Sequence, residues 1–266
     1  MTAKELVFAA SHLGTQNFYG LPDPFYGMED GEIVREVTQL QLSLTQKGIA
    51  DMGFDDDFSI TSKASELISV CADCSAYVTA EFESPGGKTE YLVFYYSDGK
   101  AAQVRASGDD LTLEMVAADA VAGLLWAELC PPNREDLPSD APAVTPAVIS
   151  FDILTQAQNK SETDLSGAAA LLCAEGCPEP FAQILIGGLT RTAGFCSIHS
   201  MNMQADTFDS MLFIRSNAGV ICLLPFDAPE ETFWEILPAS GDKVRKRVSE
   251  LCDFSGSRGE RDNEMH

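Results

Sequence analysis

The run from Ser75 to Val116 constrains the fold more than any other part of the chain. "SAYVTAEFE" (75–83) and "KTEYLVFYY" (88–96) are rich in Val, Thr, Tyr and Phe. Such side chains pack well on a pleated surface. "SPGG" (84–87) separates the two segments, and "SDGK" (97–100) turns the second back. Asp98-Gly99 is the kind of pair that tolerates two successive positive φ values, as a two-residue hairpin requires. "AAQVRA" (101–106), a further turn at "SGDD" and "LTLEMV" (111–116) complete the pattern. The sequence therefore predicts an antiparallel meander of four strands. The pattern returns in the second half, where "MLFIRSNAGVICLL" (211–224) mirrors "YLVFYYSDGKAAQV" (91–104). Both read as a strand, a Ser with Asp or Asn, a Gly, and a strand.

Helical periods frame both meanders. Residues 2–13 begin with Thr2 and Glu5 in capping-box spacing, and Gly14 offers a stop. In residues 29–47, Ile33, Val37, Leu40 and Leu44 recur at intervals of 4, 3 and 4, and Gly48 ends the run. A short extended piece at Phe58–Ile60 precedes a helix over 62–74, and a helix over 117–130 follows the meander. The second half predicts helices at 149–159, 163–175 and 179–190. Strands follow at 193–203, 209–215, 219–225 and 231–237, then a helix over 241–252 with Asp242 as N-cap. The fold class is thus α+β, with two pseudo-repeated lobes, each of helices, an antiparallel β-meander and a closing helix. The lobes span 1–130 and 148–253. The proline-rich stretch 131–147 reads as a linker and 254–266 as a disordered tail.

The hydrophobic share of 45% in 266 residues suffices for a substantial core. No window approaches the roughly 18 uninterrupted apolar residues of a membrane span, and the N-terminus reads as an amphipathic helix rather than a signal peptide. A cytoplasmic protein is expected. The net charge is −24, with 21 acidic against 7 basic residues in 1–130 and 20 against 10 in 131–266. Phosphate backbones repel such a surface, which disfavours nucleic acid.

Eight cysteines include a C-x-x-C at Cys71/Cys74 and a C-x-x-x-C at Cys173/Cys177. A zinc site would want two such pairs converging, and Cys71 and Cys74 instead close an apolar helical pattern where i and i+3 share a face; Cys130, Cys196 and Cys222 read as small core residues. The acidic run at 55–57 lacks the spaced ligands of a calcium loop. No G-x-S-x-G, H-E-x-x-H, P-loop or G-x-G-x-x-G is present. No catalytic residue, metal or cofactor is therefore assigned. One catalytic alternative stays open: Cys196 or Cys222 acting with His199, since such partners can come from distant sequence.

The stretch "NFYGLPDPFYGMEDGEI" (17–33) joins the first two helices. Its two prolines stiffen Leu21–Phe25. Phe18, Tyr19, Phe25 and Tyr26 are expected either to fold under the helices, with Phe18 and Phe25 mostly inside, or to form an exposed binding patch. The order of parts here runs from "ELVFAASHLG" through "FYGLPDPF" to "GEIVREVTQLQLSLTQKGI" and "DFSIT". Over residues 5 to about 130 this order resembles the N-terminal half of the EsaE-like type VII secretion-associated proteins of Gram-positive bacteria. Those are similar in layout to the EspG chaperones of mycobacteria.

The resemblance implies two related α+β lobes around a mostly antiparallel sheet. It also implies a non-enzymatic role: binding a secreted helical-hairpin protein of the WXG, LXG or PE–PPE kind in the cytosol. The loop corresponding to the substrate-touching hairpin of the EspG relatives is Ser84, Pro85, Gly86 and Gly87. The competing reading is an acidic immunity or scaffold protein that blocks a toxin.

Overall fold

A computed structural model describes residues 1–15, 18–53, 57–84, 87–130, 145–190, 193–216, 219–228 and 231–254. The chain forms two compact units. The first comprises Met1–Thr79, Glu90–Val121 and Met201–Thr207; the second comprises Ala80–Thr89, Ala122–Ser200 and the chain from Phe208 onward. The elements are mixed helix and antiparallel strand, and the class is α+β.

The first unit opens with α1 (Ala3–His12) and α2 (Asp30–Gln46), then β1 (Ala50–Met52), β2 (Phe58–Ile60) and α3 (Ser62–Ala72). The meander follows as β3 (Ala76–Glu83), β4 (Thr89–Ser97), β5 (Lys100–Ser107) and β6 (Asp110–Val116), in spatial order β6-β5-β4-β3. Asp98 and Gly99 take φ of 48° and 79°, the paired positive values anticipated for that turn. This sets the register Tyr95↔Ala102 and Val93↔Val104. Leu92–Tyr96 are all buried, so β4 is covered on both faces. One face carries Val93, Tyr95, Ala102 and Val104 against Leu6, Ala9, Leu44, Ile68 and Cys71 from the three helices. The Val, Leu and Ile side chains among these contribute about 1.5–3 kcal/mol each on full burial.

The second unit contains α4 (Val121–Leu129, its first residue in the first unit), which follows a short 3-10 turn at Ala118–Ala120. Next come β7 (Ala147–Ser150), α5 (Phe151–Ser161), α6 (Leu165–Ala174) and α7 (Glu179–Leu189). The chain closes with β8 (Gly194–Asn202), β9 (Thr207–Ser216), β10 (Gly219–Ala228), β11 (Glu231–Pro238) and α8 (Asp242–Leu251). The strand order is β8-β9-β10-β11-β7. Phe181, Leu185, Leu172 and Ala157 of the helices pack against Ile214, Ile221, Leu223 and Ile236. α8 buries Val244, Val248 and Leu251. It turns out Lys243 to pair with Glu235, Arg247 to pair with Asp209, and Arg245 to lie 5.9 Å over Trp126.

The extended piece at Phe58–Ile60 forms as expected and gains a partner strand, β1, through the register Ala50↔Ile60. Two local expectations are corrected. Residues 147–150 form an edge strand against β11 rather than a helix start, and Ser150 caps α5 by accepting from the Ile153 N–H. Gly241, in extended backbone, holds the N-cap of α8 and Asp242 is its first residue. All but residues 145–147 of the expected linker, and all but Phe254 of the expected tail, lie outside the described residues.

Candidate functional site

The connector between α1 and α2 is built onto the first unit's sheet. Gly14, at φ 88°, ends α1. The buried Tyr95 hydroxyl donates to the Tyr19 carbonyl at 2.6 Å, and Phe18 meets the Tyr95 ring edge-on at 6.3 Å. Tyr19 stacks on Tyr77 at 5.8 Å. Gly20 adopts φ 75° against Thr79, so close that a Cβ there would fall inside 3.0 Å of Thr79 Oγ1. Beyond it, Asp23 Oδ1 accepts from the Phe25 N–H at 2.9 Å, and the Glu32 carboxylate accepts from the Glu29 N–H at 3.2 Å to start α2.

The expectation for this stretch holds in part: Phe18 and Phe25 are mostly covered, and Phe18 and Leu21 pack on the core, but the connector as a whole is not buried, since Pro22 is exposed and Tyr26 is 89% exposed. The sheet offers Tyr95 and Tyr77 to the first two aromatics, whereas Tyr26 and Pro22 stay at the surface. The result is an open groove of about 540 Å³. Ala3, Leu6 and Val7 of α1 form one wall, Leu21, Pro24 and Phe25 of the connector a second, and Ile33, Val37 and Leu40 of α2 a third. The helical period of α2 was legible in the sequence; that its first two apolar positions open onto a groove was not.

Two ion pairs brace the walls. Lys4 meets Glu36 at 2.8 Å, and its ammonium lies 5.9 Å from the Phe25 ring centre. Glu5, 3% exposed, accepts from Lys47 at 2.7 Å, from Ser43, and from the Thr2 N–H at 2.6 Å. Burial alone would raise the Glu5 pKa, but these donors outweigh it and hold the carboxyl below its ordinary 4.5.

The hairpin expected to touch a partner falls in the second unit. Pro85 and Gly86 lie outside the described residues. Ser84 and Gly87 are exposed. The Ser84 N–H donates to the Lys88 carbonyl at 2.9 Å, and Gly87 takes φ 81°. The strand leading into it presents Glu81 and Glu83 to a cavity of about 380 Å³, bounded by Gln158 of α5, Leu189 of α7 and Phe195 of β8.

The thiols do not assemble with His199. Along β8, Cys196, Ile198 and Ser200 are buried on one face, while Phe195, Ser197 and His199 alternate onto the other and are half-buried. Cys222 sits beside Cys196 and Cys130. Burial pushes the thiols of both Cys196 and Cys222 well up. His199 stacks on Phe208 at 5.7 Å. Cys71, Cys74 and Cys177 are pushed up to about 12, again by burial. Cys173 alone is exposed among the eight. Among the described residues no cluster of His, Cys, Asp and Glu could hold a metal ion, and no helix is long and apolar enough to cross a membrane.

No protein-family model and no curated protein matches the chain. Among solved structures it is similar to the type VII secretion system chaperone EspG5 of Mycobacterium tuberculosis, in complex with the PE25–PPE41 dimer. The TM-score is 0.68 at 14% identity, over 95% of each chain. The chain has an EspG-like fold.

Proposed function

We propose that this protein is a non-enzymatic cytoplasmic chaperone or adaptor of a type VII secretion system, binding a secreted helical-hairpin protein of the WXG, LXG or PE–PPE kind. One observation carries the reading: the likeness to EspG5 extends over 95% of both chains, and that chaperone's structure holds its PE25–PPE41 partner. The resemblance of its N-terminal sequence to the EsaE-like proteins suggests the same reading. In this reading the loop of Ser84, Pro85, Gly86 and Gly87, of which Ser84 and Gly87 are exposed, touches the partner, next to a cavity lined by Glu81 and Glu83 and by residues of α5 and α7.

The test is direct. The protein is co-expressed with the helical-hairpin product of a neighbouring gene and run on size exclusion. A co-eluting complex, with increased solubility of the partner and no turnover of any small molecule, is expected. Failure to form a complex with any such neighbour would sink the proposal. The charge of −24 favours encounter with a less acidic partner, so raising salt should slow association and leave dissociation nearly unchanged.

A further inference from the structure

We infer that the groove between α1, the connector and α2 is a docking site for an apolar helical segment of another protein flanked by basic residues. The inference stands on the groove and its charges, whoever the partner is.

Three observations converge. First, the groove asks for no hydrogen bonds. Of the side chains lining it only Ser11 and Asp23 are polar, and both are engaged within the chain. Ser11 Oγ donates to the Phe8 carbonyl at 2.7 Å, and Asp23 accepts from the Phe25 N–H. An occupant therefore gains by placing apolar side chains there. Second, α2 is unfinished as a core helix. Of its 17 residues only Leu40 and Leu44 are buried. Ile33 and Val37 are half-buried in the groove, and neighbouring Val34 is 69% exposed. A second helix laid along this face would cover them at the i, i+3, i+4 and i+7 spacing of helix-in-groove recognition. Third, the surroundings select the occupant's charge. Between residues 18 and 40 stand Asp23, Glu29, Asp30, Glu32 and Glu36 against the single Arg35. Asp23 lines the groove itself and Glu36 is paired with Lys4, so the apolar floor adjoins a connector and a helix start that are acidic in sequence. Lys or Arg flanking an apolar stripe is the complement of that pattern, and an acidic flank would be repelled.

The experiment uses the full chain and a fluorescent synthetic helix of about 20 residues, long enough to be helical in water. Its Leu residues stand at i, i+3, i+4 and i+7 and its flanks are Lys. Two control peptides carry Glu flanks or Ser in place of Leu. Anisotropy should show the Leu/Lys peptide binding at least about tenfold more tightly than either control. Val37→Asp, which puts a charge on the groove floor, should weaken it by about tenfold or more while circular dichroism stays unchanged. Phe25→Ser gives the same reading from the opposite wall should Val37→Asp not fold. Asp30→Asn with Glu32→Gln should weaken binding about three- to tenfold at low salt and flatten its salt dependence. Glu162→Gln with Glu175→Gln, the same charge change at the C-terminal ends of α5 and α6, should not. Equal binding by the Glu-flanked peptide, indifference to both groove variants, or equal effects of the two charge pairs would overturn the inference. Each of these results leaves the chaperone proposal to its own co-elution test.

Discussion

Replacing Gly20 with Ala adds one methyl group at the point where the connector meets the sheet. Two costs arise, and they are separable. Gly20 sits at φ 75°, in the left-handed region where an L side chain costs about 1–2 kcal/mol. The new Cβ would also fall inside 3.0 Å of Thr79 Oγ1, with Val93 Cγ1 at 3.3 Å and Tyr77 Cδ2 at 3.5 Å. Overpacking of this kind costs about 1–3 kcal/mol, because the close atom belongs to a side chain held in a buried strand. Gly20→Ala should therefore destabilise by roughly 2–5 kcal/mol. Thr79→Ala removes the clashing atom. Its hydroxyl is buried and has no hydrogen-bond partner among the described residues, so its loss leaves no donor stranded. In that background Gly20→Ala should cost only the backbone share of about 1–2 kcal/mol. Urea unfolding of the four proteins, followed by circular dichroism, closes the cycle. A coupling of about 1–3 kcal/mol is expected. If Gly20→Ala costs less than about 1 kcal/mol, or costs the same in both backgrounds, the connector does not rest on Thr79 as described.

Tyr95→Phe removes the hydroxyl that ties the Tyr19 carbonyl to the sheet, and should cost about 1–2 kcal/mol in the same assay; a smaller loss would mean the connector is held by packing alone. Glu5 has a lowered pKa in the folded protein, so its contribution is full above its ordinary 4.5 and is lost as pH falls through the folded value. The gap in urea midpoint between wild type and Glu5→Gln should thus be wide at neutral pH and shrink in acid, and a gap that widens in acid would contradict the network. Alkylation of the native protein with iodoacetamide, mapped by mass spectrometry, should modify Cys173 first, and Cys196 and Cys222 only after unfolding. Modification of Cys196 or Cys222 faster than free cysteine would revive a thiol mechanism.

The parts of the fold with strong local chemistry were legible in the sequence. Asp98-Gly99 is written into the turn by the need for two positive φ values, and Thr2 with Glu5 into the first cap by two backbone N–H groups that need acceptors. What escaped depends on distant partners. β1 is three residues long, too short to alternate, and exists because Phe58–Ile60 lies beside it. β7 is a four-residue apolar run whose strand character comes from β11, more than 80 residues later. Asp242 has the chemistry of an N-cap, yet the extended backbone falls at Gly241, leaving Asp242 in the first turn, where a carboxylate still favours the helix dipole. The connector shows the same division. Its stiffness and apolarity were readable, but which of its rings would be covered depended on where Tyr77 and Tyr95 stand on the sheet.

That division also explains why a groove persists in the first unit. α2 is held unequally along its length. Its C-terminal half is fixed by the buried Leu40 and Leu44 and by Lys47 and Ser43 on the carboxylate of Glu5. Breaking a charge-assisted hydrogen bond of that kind costs about 1.5–3 kcal/mol. Among the described residues its N-terminal half is tied to its neighbours by the half-exposed Lys4–Glu36 pair, worth about 0–1 kcal/mol in water, and by the partial cover of Ile33 and Val37. The connector cannot close the gap, because the Tyr95 hydroxyl and the left-handed Gly20 anchor its first residues to the sheet, and Asp23 folds the rest into a turn that leads Tyr26 outward. The apolar face of α2 near Ile33 is therefore left to be covered by something other than the connector, on the side where the acidic residues of the connector and helix start are concentrated.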